Sequence, residues 1–476
     1  MTVLSFLLIL PGALLLLLAV SLIRALRVSP KKSEYEPAPD PGRAEKYAEK
    51  LSAMVRQETV SFPEKEQREK FLAFHRVLEE LFPLVHTKLE KTEIDGNLLF
   101  FWKGKSSGKP LVLMSHQDVV PAEGEWIHPP FSGDIADGKV WGRGSSDTKC
   151  SVMAFFQAAE ELLAEGFVPE NDVWLSSSCT EEWAGDGCPK LVAELKKRGV
   201  RPWLVCDEGG GIIREPIAGI PGNFAMIGVF EKGKADVRFT ARSDGGHAST
   251  PRPHSPIARL ADFVHETETR SVFRRKIPKE VASMFETLAP YASFPLRWVF
   301  SNLWLFRPAL LLALPLISPQ AGAMIRTTIA FTMQSGSDAF NVMPQEASVG
   351  ANMRFIPHQG MEESLGIIRK LAEKHGLETE VLQASDYTPS ADIRGEAFQL
   401  IRKTVADTFP GCPSCPYVMT GATDARFYQE ICDNVFRFAP VIYGPEQMKG
   451  MHGLNENIEI SCLPGAVDFY RNLIQA

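Results

Sequence analysis

The sequence predicts an α/β protein: a mainly parallel sheet with helices on both faces, interrupted by an inserted, smaller α+β domain and preceded by an apolar N-terminal transmembrane helix. Three observations carry this. Short, near-continuous apolar runs alternate with helical stretches, as in strands buried on both faces. The texture changes near Val229 to strands of alternating polarity. Ahead of both lie 21 uncharged, Leu-rich residues, Val3–Ile23, long enough at ~1.5 Å per residue to cross a bilayer as one helix.

In chain order, residues 1–27 read as an uncleaved anchor, because no basic segment precedes the apolar run and no small-x-small site follows it. Residues 28–42 are polar and Pro-rich and read as a linker. Residues 43–228 form the first part of the main domain. Within it, 111–116 is a strand ending at His116, 151–166 a helix closed by Gly166, 172–182 a strand ending in Glu181 and Glu182, and 203–211 a strand running into Asp207 and glycines. Residues 229–384 read as the insertion, with strands at 235–243 and 347–355 around a helix at 256–267. Residues 385–476 return to the main sheet. A second apolar stretch, 294–317, is interrupted by Arg297, Arg307 and two prolines. It reads either as a core helix or as an exposed surface meeting a bilayer or fatty-acyl substrate.

With 45% hydrophobic and 23% charged residues the chain can bury a core, which excludes disorder. The net charge of −7 argues against a nucleic-acid partner. That charge is uneven: residues 1–33 hold Arg24, Arg27, Lys31 and Lys32 and no acid, leaving a body of 47 basic and 58 acidic residues. Basic residues after the span favour a cytoplasmic body. Eight cysteines without dense regular spacing fit a reducing compartment. Cys412 and Cys415 have no second C-x-x-C to complete a structural zinc site.

In such sheets, ligands bind beyond the carboxyl ends of the strands, and His116, Asp118, Asp147, Glu181, Glu182 and Asp207 are expected there, with His452 near the C-terminus. Imidazole and carboxylate donors suit Zn²⁺ in an open site, with Co²⁺ or Mn²⁺ as substitutes. The donors exceed what one ion needs, so two ions sharing a bridging carboxylate are expected. Glu208 competes with Asp207, since both follow the same apolar run.

The run from Ser115 to Phe167, followed in order by SCTEEWAGDG, CDEGG, GGHASTP, NVMPQEASVGANMRF, GATDARF and MHGLNE, resembles the dinuclear zinc metallopeptidases and aminoacylases. Within that family the text is most similar to Gly-X carboxypeptidase (carboxypeptidase S) and the N-fatty-acyl-amino acid hydrolases. The resemblance implies that Asp147 bridges two Zn²⁺ ions, one held by His116 and Asp207 and the other by Glu182 and His452. It makes Glu181 the general base and His247 the oxyanion donor, the latter often reaching a partner subunit's site in a homodimer. Arg354 would anchor the substrate carboxylate, Asn341 and Gly421 would shape its pocket, and Asp424 with Arg426 would support that loop. Asp118, two residues beyond His116, would accept the imidazole's second N–H. A non-proline cis peptide after Asp147 is also implied.

These roles describe a membrane-anchored zinc hydrolase cleaving an amide beside a free C-terminal carboxylate. Carboxypeptidase action on short peptides is the first reading, and hydrolysis or synthesis of N-acyl amino acids the second. A catalytically inactive membrane-anchored binding protein is the rival of another class. The resemblance favours a lumenal or external body, against the charge flanks.

Overall fold

The computed structural model describes residues 3–63 and 68–476, with side chains described from residue 13 onward. Its centre is an eight-stranded mixed sheet. From one edge, the strands run Glu90–Ile94, Asn97–Trp102, Asn171–Ser177, Ser106–Met114, Leu204–Arg214, Val435–Tyr443, Asn223–Glu231 and Ser414–Met419. The four middle strands, from Asn171–Ser177 to Val435–Tyr443, are mutually parallel. Antiparallel pairings lie toward the edges.

Helices pack on this sheet because their apolar faces match it. The helix Lys149–Ala164 buries twelve side chains, Phe155 and Phe156 among them, and packs against Leu463–Gln475. The helix Pro41–Val55 starts where Asp40 accepts the Arg43 N–H at 3.2 Å with Pro in the first turn, the residue types a helix start favours.

A second core belongs to a four-stranded antiparallel sheet, Thr328–Ser335, Glu346–Phe355, Gly233–Arg242 and Glu378–Ser385. The helices Pro256–Thr269 and Gly360–Lys374 cover it through Phe263, Leu260, Leu365 and Ile368. The helices between residues 279 and 323 go elsewhere. Val281, Met284, Phe285, Leu303 and Leu310 join the core of the main sheet, with Lys279–Leu288 packed on the edge strand Ser414–Met419.

The stretch read as a linker runs along the body. Lys31 N–H donates to Pro290 O at 2.8 Å and Asn223 Nδ2 to Tyr35 O at 2.9 Å. Tyr35 is buried edge-on against Phe409, with ring centroids 5.3 Å apart. A Pro-rich extended chain keeps its few N–H groups free for such bonds.

The apolar N-terminus is helical over Val3–Arg27, and the side chains of the first part of the expected span lie outside the described residues. Among the described residues no single helix is long and apolar enough to cross a membrane. One pair, Phe294–Phe300 with Leu303–Ile317, meets the length and composition together but is bent by 108°.

His75, 3% exposed, binds Gln117 through Nε2 at 3.0 Å while its Nδ1 has no partner. Burial lowers its pKa to about 4. The folded protein therefore binds fewer protons here than the unfolded chain between pH 4 and 6.5, and stability should fall as pH falls through that window. Denaturant titrations should show His75→Leu flattening the dependence, by a slope approaching ~1.4 kcal/mol per pH unit.

Candidate metal centre

The parallel strands end on one side of the sheet, and the predicted donors gather there. His116 lies just past Ser106–Met114, and Glu181 and Glu182 beyond Asn171–Ser177. Asp147 precedes the helix Lys149–Ala164, and His452 follows the helix Pro445–Gly450.

Two sets of ligand atoms converge, each within 4.8 Å: His116, Asp147 and Glu208 in one, Asp147, Glu182 and His452 in the other. Asp147 belongs to both. Its Oδ1 lies 3.2 Å from His116 Nε2 and its Oδ2 3.1 Å from His452 Nε2. Glu182 Oε2 is 3.1 Å from His452 Nε2, and Glu208 Oε1 is 4.0 Å from His116 Nε2.

The geometry substitutes Glu208 for the expected Asp207. Adjacent strand residues point to opposite faces, and Asp207 is fully buried with Oδ1 accepting the Glu208 N–H at 2.8 Å. The tautomer of His116 is also set differently from expectation. Its Nδ1 lies 2.9 Å from the backbone carbonyl of Asp118, and the carboxylate is 3.5 Å away. That carboxylate instead accepts from Ser61 Oγ at 2.6 Å and from the N–H groups of Glu181 and Glu182, both at 3.2 Å. Asp118 thus fixes the turn that carries both glutamates. The peptide Asp147–Thr148 is cis, as expected.

The remaining expected residues are distributed around this centre. Arg354 is half-buried, its Nε bound to Asn352 at 2.9 Å and its Nη1 without a partner. Burial lowers its pKa from the ordinary guanidinium value, with Asp236 opposing and Arg426 adding to the shift. His247 is exposed on the two-stranded pairing of Gly246–His247 with Val342–Met343, with Nδ1 2.7 Å from Ser249 Oγ. Asn341 joins it through the Ala248 N–H to Asn341 O bond at 3.0 Å. Neither His247 nor Asn341 contacts the two ligand sets among the described residues. Gly421 is half-buried, with Met419 3.0 Å from where a Cβ would stand. Asp424 binds Ser178 Oγ, and Arg426 stacks 4.5 Å over Phe427, so the expected pair is not formed.

Sequence reasoning passed over Glu456, although it lies in the MHGLNE motif. Fully buried, it accepts from Arg143 Nη1 at 2.7 Å and from the N–H groups of Gly144, Ser146 and Asp147 at 3.1, 2.9 and 2.9 Å. It therefore shapes the loop that aims Asp147. Its partners lie more than 300 residues away in sequence, and the only cue was its place four residues after His452. Removing such a supporting group commonly costs 10–100-fold in metal affinity. Glu456→Gln should bind Zn²⁺ weaker by about that factor while its far-UV spectrum is unchanged, as calorimetric titration would measure.

The electrostatics fit cations. Burial raises Glu181 and Glu208 well above the usual carboxylate range, and also raises Glu182, with neighbouring acids adding to each. Asp147 is held low despite burial by its bonds to both histidines, and His452 is raised to about 10 by Asp147 and Glu182. No Lys or Arg pairs with these four acids among the described residues, and Glu182 Oε1 is buried without a partner. Three converging carboxylates and two imidazoles, short of positive charge, fit two divalent ions sharing Asp147.

Comparison with known proteins agrees. A profile of Peptidase family M20/M25/M40 matches residues 112–476. The chain is 32% identical over 440 residues to "Probable carboxypeptidase S-like 2" of Dictyostelium discoideum, covering 90% of this chain and 84% of that protein. It is 34% identical over 436 residues to the N-fatty-acyl-amino acid synthase/hydrolase PM20D1 of Homo sapiens, covering 90% and 87%. In fold it is similar to the M20 family metallo-carboxypeptidase Sso-CP2 of Sulfolobus solfataricus, with a TM-score of 0.67 at 18% identity, covering 90% and 98%.

Proposed function

The chain belongs to peptidase family M20/M25/M40 and is a hydrolase, and on that premise we propose that it cleaves an amide bond adjacent to a free carboxylate using two Zn²⁺ ions. The observation that carries this reading is the pair of ligand sets sharing Asp147, with Glu181 buried beside them. We assign one ion to His116, Asp147 and Glu208 and the other to Asp147, Glu182 and His452, with Co²⁺ or Mn²⁺ as substitutes. Bound there, the ions supply a Lewis acid for the scissile carbonyl and make water a nucleophile near neutral pH.

The side chains do the rest. Glu181 accepts a proton from the attacking water at a carboxylate oxygen and returns it to the departing amine nitrogen. Arg354, with a free Nη1 and with Nε steadied by Asn352, binds the substrate carboxylate. His247 stands exposed on its short strand, which supports a role as oxyanion donor delivered to a second copy in a homodimer.

Short peptides of Gly-X type and N-acyl amino acids present the same amide and carboxylate to these groups, and the named relatives include both kinds of enzyme. A blocked Gly-Leu dipeptide and an oleoyl amino acid assayed side by side separate the two. Whichever is turned over, Arg354→Leu should lower kcat/KM by roughly 10–100-fold, the loss of a charged hydrogen bond. The amide analogue of the substrate should lose comparably with wild-type enzyme, and equal turnover of acid and amide would refute the carboxylate reading.

We also assign the helix Val3–Arg27 as a single-pass membrane anchor. The 21 uncharged residues and the exposure of Leu15 (67%) and Leu26 (67%) support it.

A further inference from the structure

We infer that the bent pair Phe294–Phe300 and Leu303–Ile317 is a platform that lies in the headgroup region of an anionic bilayer and fixes the body there. The inference rests on the anchor reading of Val3–Arg27 but concerns different residues.

One buried side chain ties three helices together. Asn302, at the bend, is fully buried and donates through Nδ2 to Ser21 O on the N-terminal helix and to Trp298 O on the short helix, both at 2.9 Å. Its Oδ1 accepts Trp304 Nε1 from the apolar helix at 3.2 Å. Trp298 Nε1 adds a bond to Ser21 Oγ at 2.9 Å. The N-terminal helix is therefore clamped at Ser21, and the 18 residues from Val3 to that point rise ~27 Å, close to the ~30 Å hydrocarbon thickness. The clamp, and the platform with it, falls at the foot of the span.

The surface at that level has the chemistry of a membrane interface. Leu312, Leu316 and Ile317 are 66%, 88% and 74% exposed, and Trp304 is half exposed, where an amphipathic ring suits the headgroup boundary. Between Glu286 and Asp338 there is no acidic residue, in a chain with 58 of them, while Arg297 and Arg307 lie on the platform. Arg24, Arg27, Lys31 and Lys32 are exposed nearby. Apolar area ringed by cations binds anionic lipid, whereas a second copy would bring like charges together.

All eight native cysteines are buried, so a cysteine introduced on the surface can be labelled selectively. The test places an environment-sensitive fluorophore at Leu316→Cys, with Phe340→Cys on the exposed loop after the strand Thr328–Ser335 as reference. The full chain is reconstituted in phosphatidylcholine vesicles with and without phosphatidylserine and a lipid-borne quencher. We expect several-fold stronger quenching at position 316 than at 340, weakened by omitting phosphatidylserine and by salt. Asn302→Ala should reduce that quenching while the protein still floats with the vesicles after carbonate washing. Flotation with a water-exposed probe at 316 overturns the platform and leaves the anchor standing. Failure to float overturns both. A probe shielded without lipid, in a species of twice the chain mass, shows that a second copy covers this face and overturns the bilayer proposal.

Discussion

Glu181→Gln should lose 10²–10⁴-fold in kcat while retaining two equivalents of zinc, because the amide keeps the shape of the glutamate and removes only its ability to take a proton. Glu181 is next to a proposed ligand but in neither ligand set, so loss of metal would not explain the defect. The measurement is kcat together with metal content by atomic absorption. A variant that binds both ions and turns over at the wild-type rate would remove Glu181 from the chemistry. A wild-type protein that binds no metal would favour an inactive binding protein.

Glu231→Leu should destabilise the fold by about 3–5 kcal/mol, a large share of the 5–15 kcal/mol that typically holds a domain together. Glu231 and Arg437 are 1% and 0% exposed and meet at 2.6–2.7 Å, with Thr423 N–H and Oγ1 also donating to the carboxylate. Taking away the glutamate leaves the buried guanidinium without its ion-pair partner. Replacing both, Glu231→Leu with Arg437→Met, should recover most of the loss, since two apolar side chains carry no desolvation cost. Urea unfolding of the single and double variants checks both statements, and a double variant as unstable as the single one would refute the argument.

The donors were legible because strand ends announce themselves: an apolar run stopping at His116 or Glu181 has to place that polar residue where the sheet ends. The choice between Asp207 and Glu208 was not legible. One residue of pleat decides which carboxylate faces the site, and Asp207 pairs across the ladder with Arg437, on a strand 230 residues later. Glu456 was hidden for the same reason, its whole function being bonds to a loop far away in sequence. The second sheet begins at Gly233, whereas Val229, where the texture changes, still lies in the main-sheet strand Asn223–Glu231. The helices from 279 to 323 carry an apolar pattern that fits either core, and only the packing of Val281 and Phe285 on the main sheet shows which. Pro-rich composition around residues 28–42 marked a linker, but composition does not reveal that Asn223 and Pro290 receive it.

That last contact limits where the chain can be cut without disturbing the body. A protease or an engineered cut within residues 31–40 would detach more than a tether. It would strip Tyr35 from Phe409 and leave Asn223 Nδ2 without its acceptor inside the body. A cut upstream of Lys31 spares those contacts but still removes Ser21 from Asn302 and Trp298, so the N-terminal segment and the body are poor candidates for exchange as separate modules.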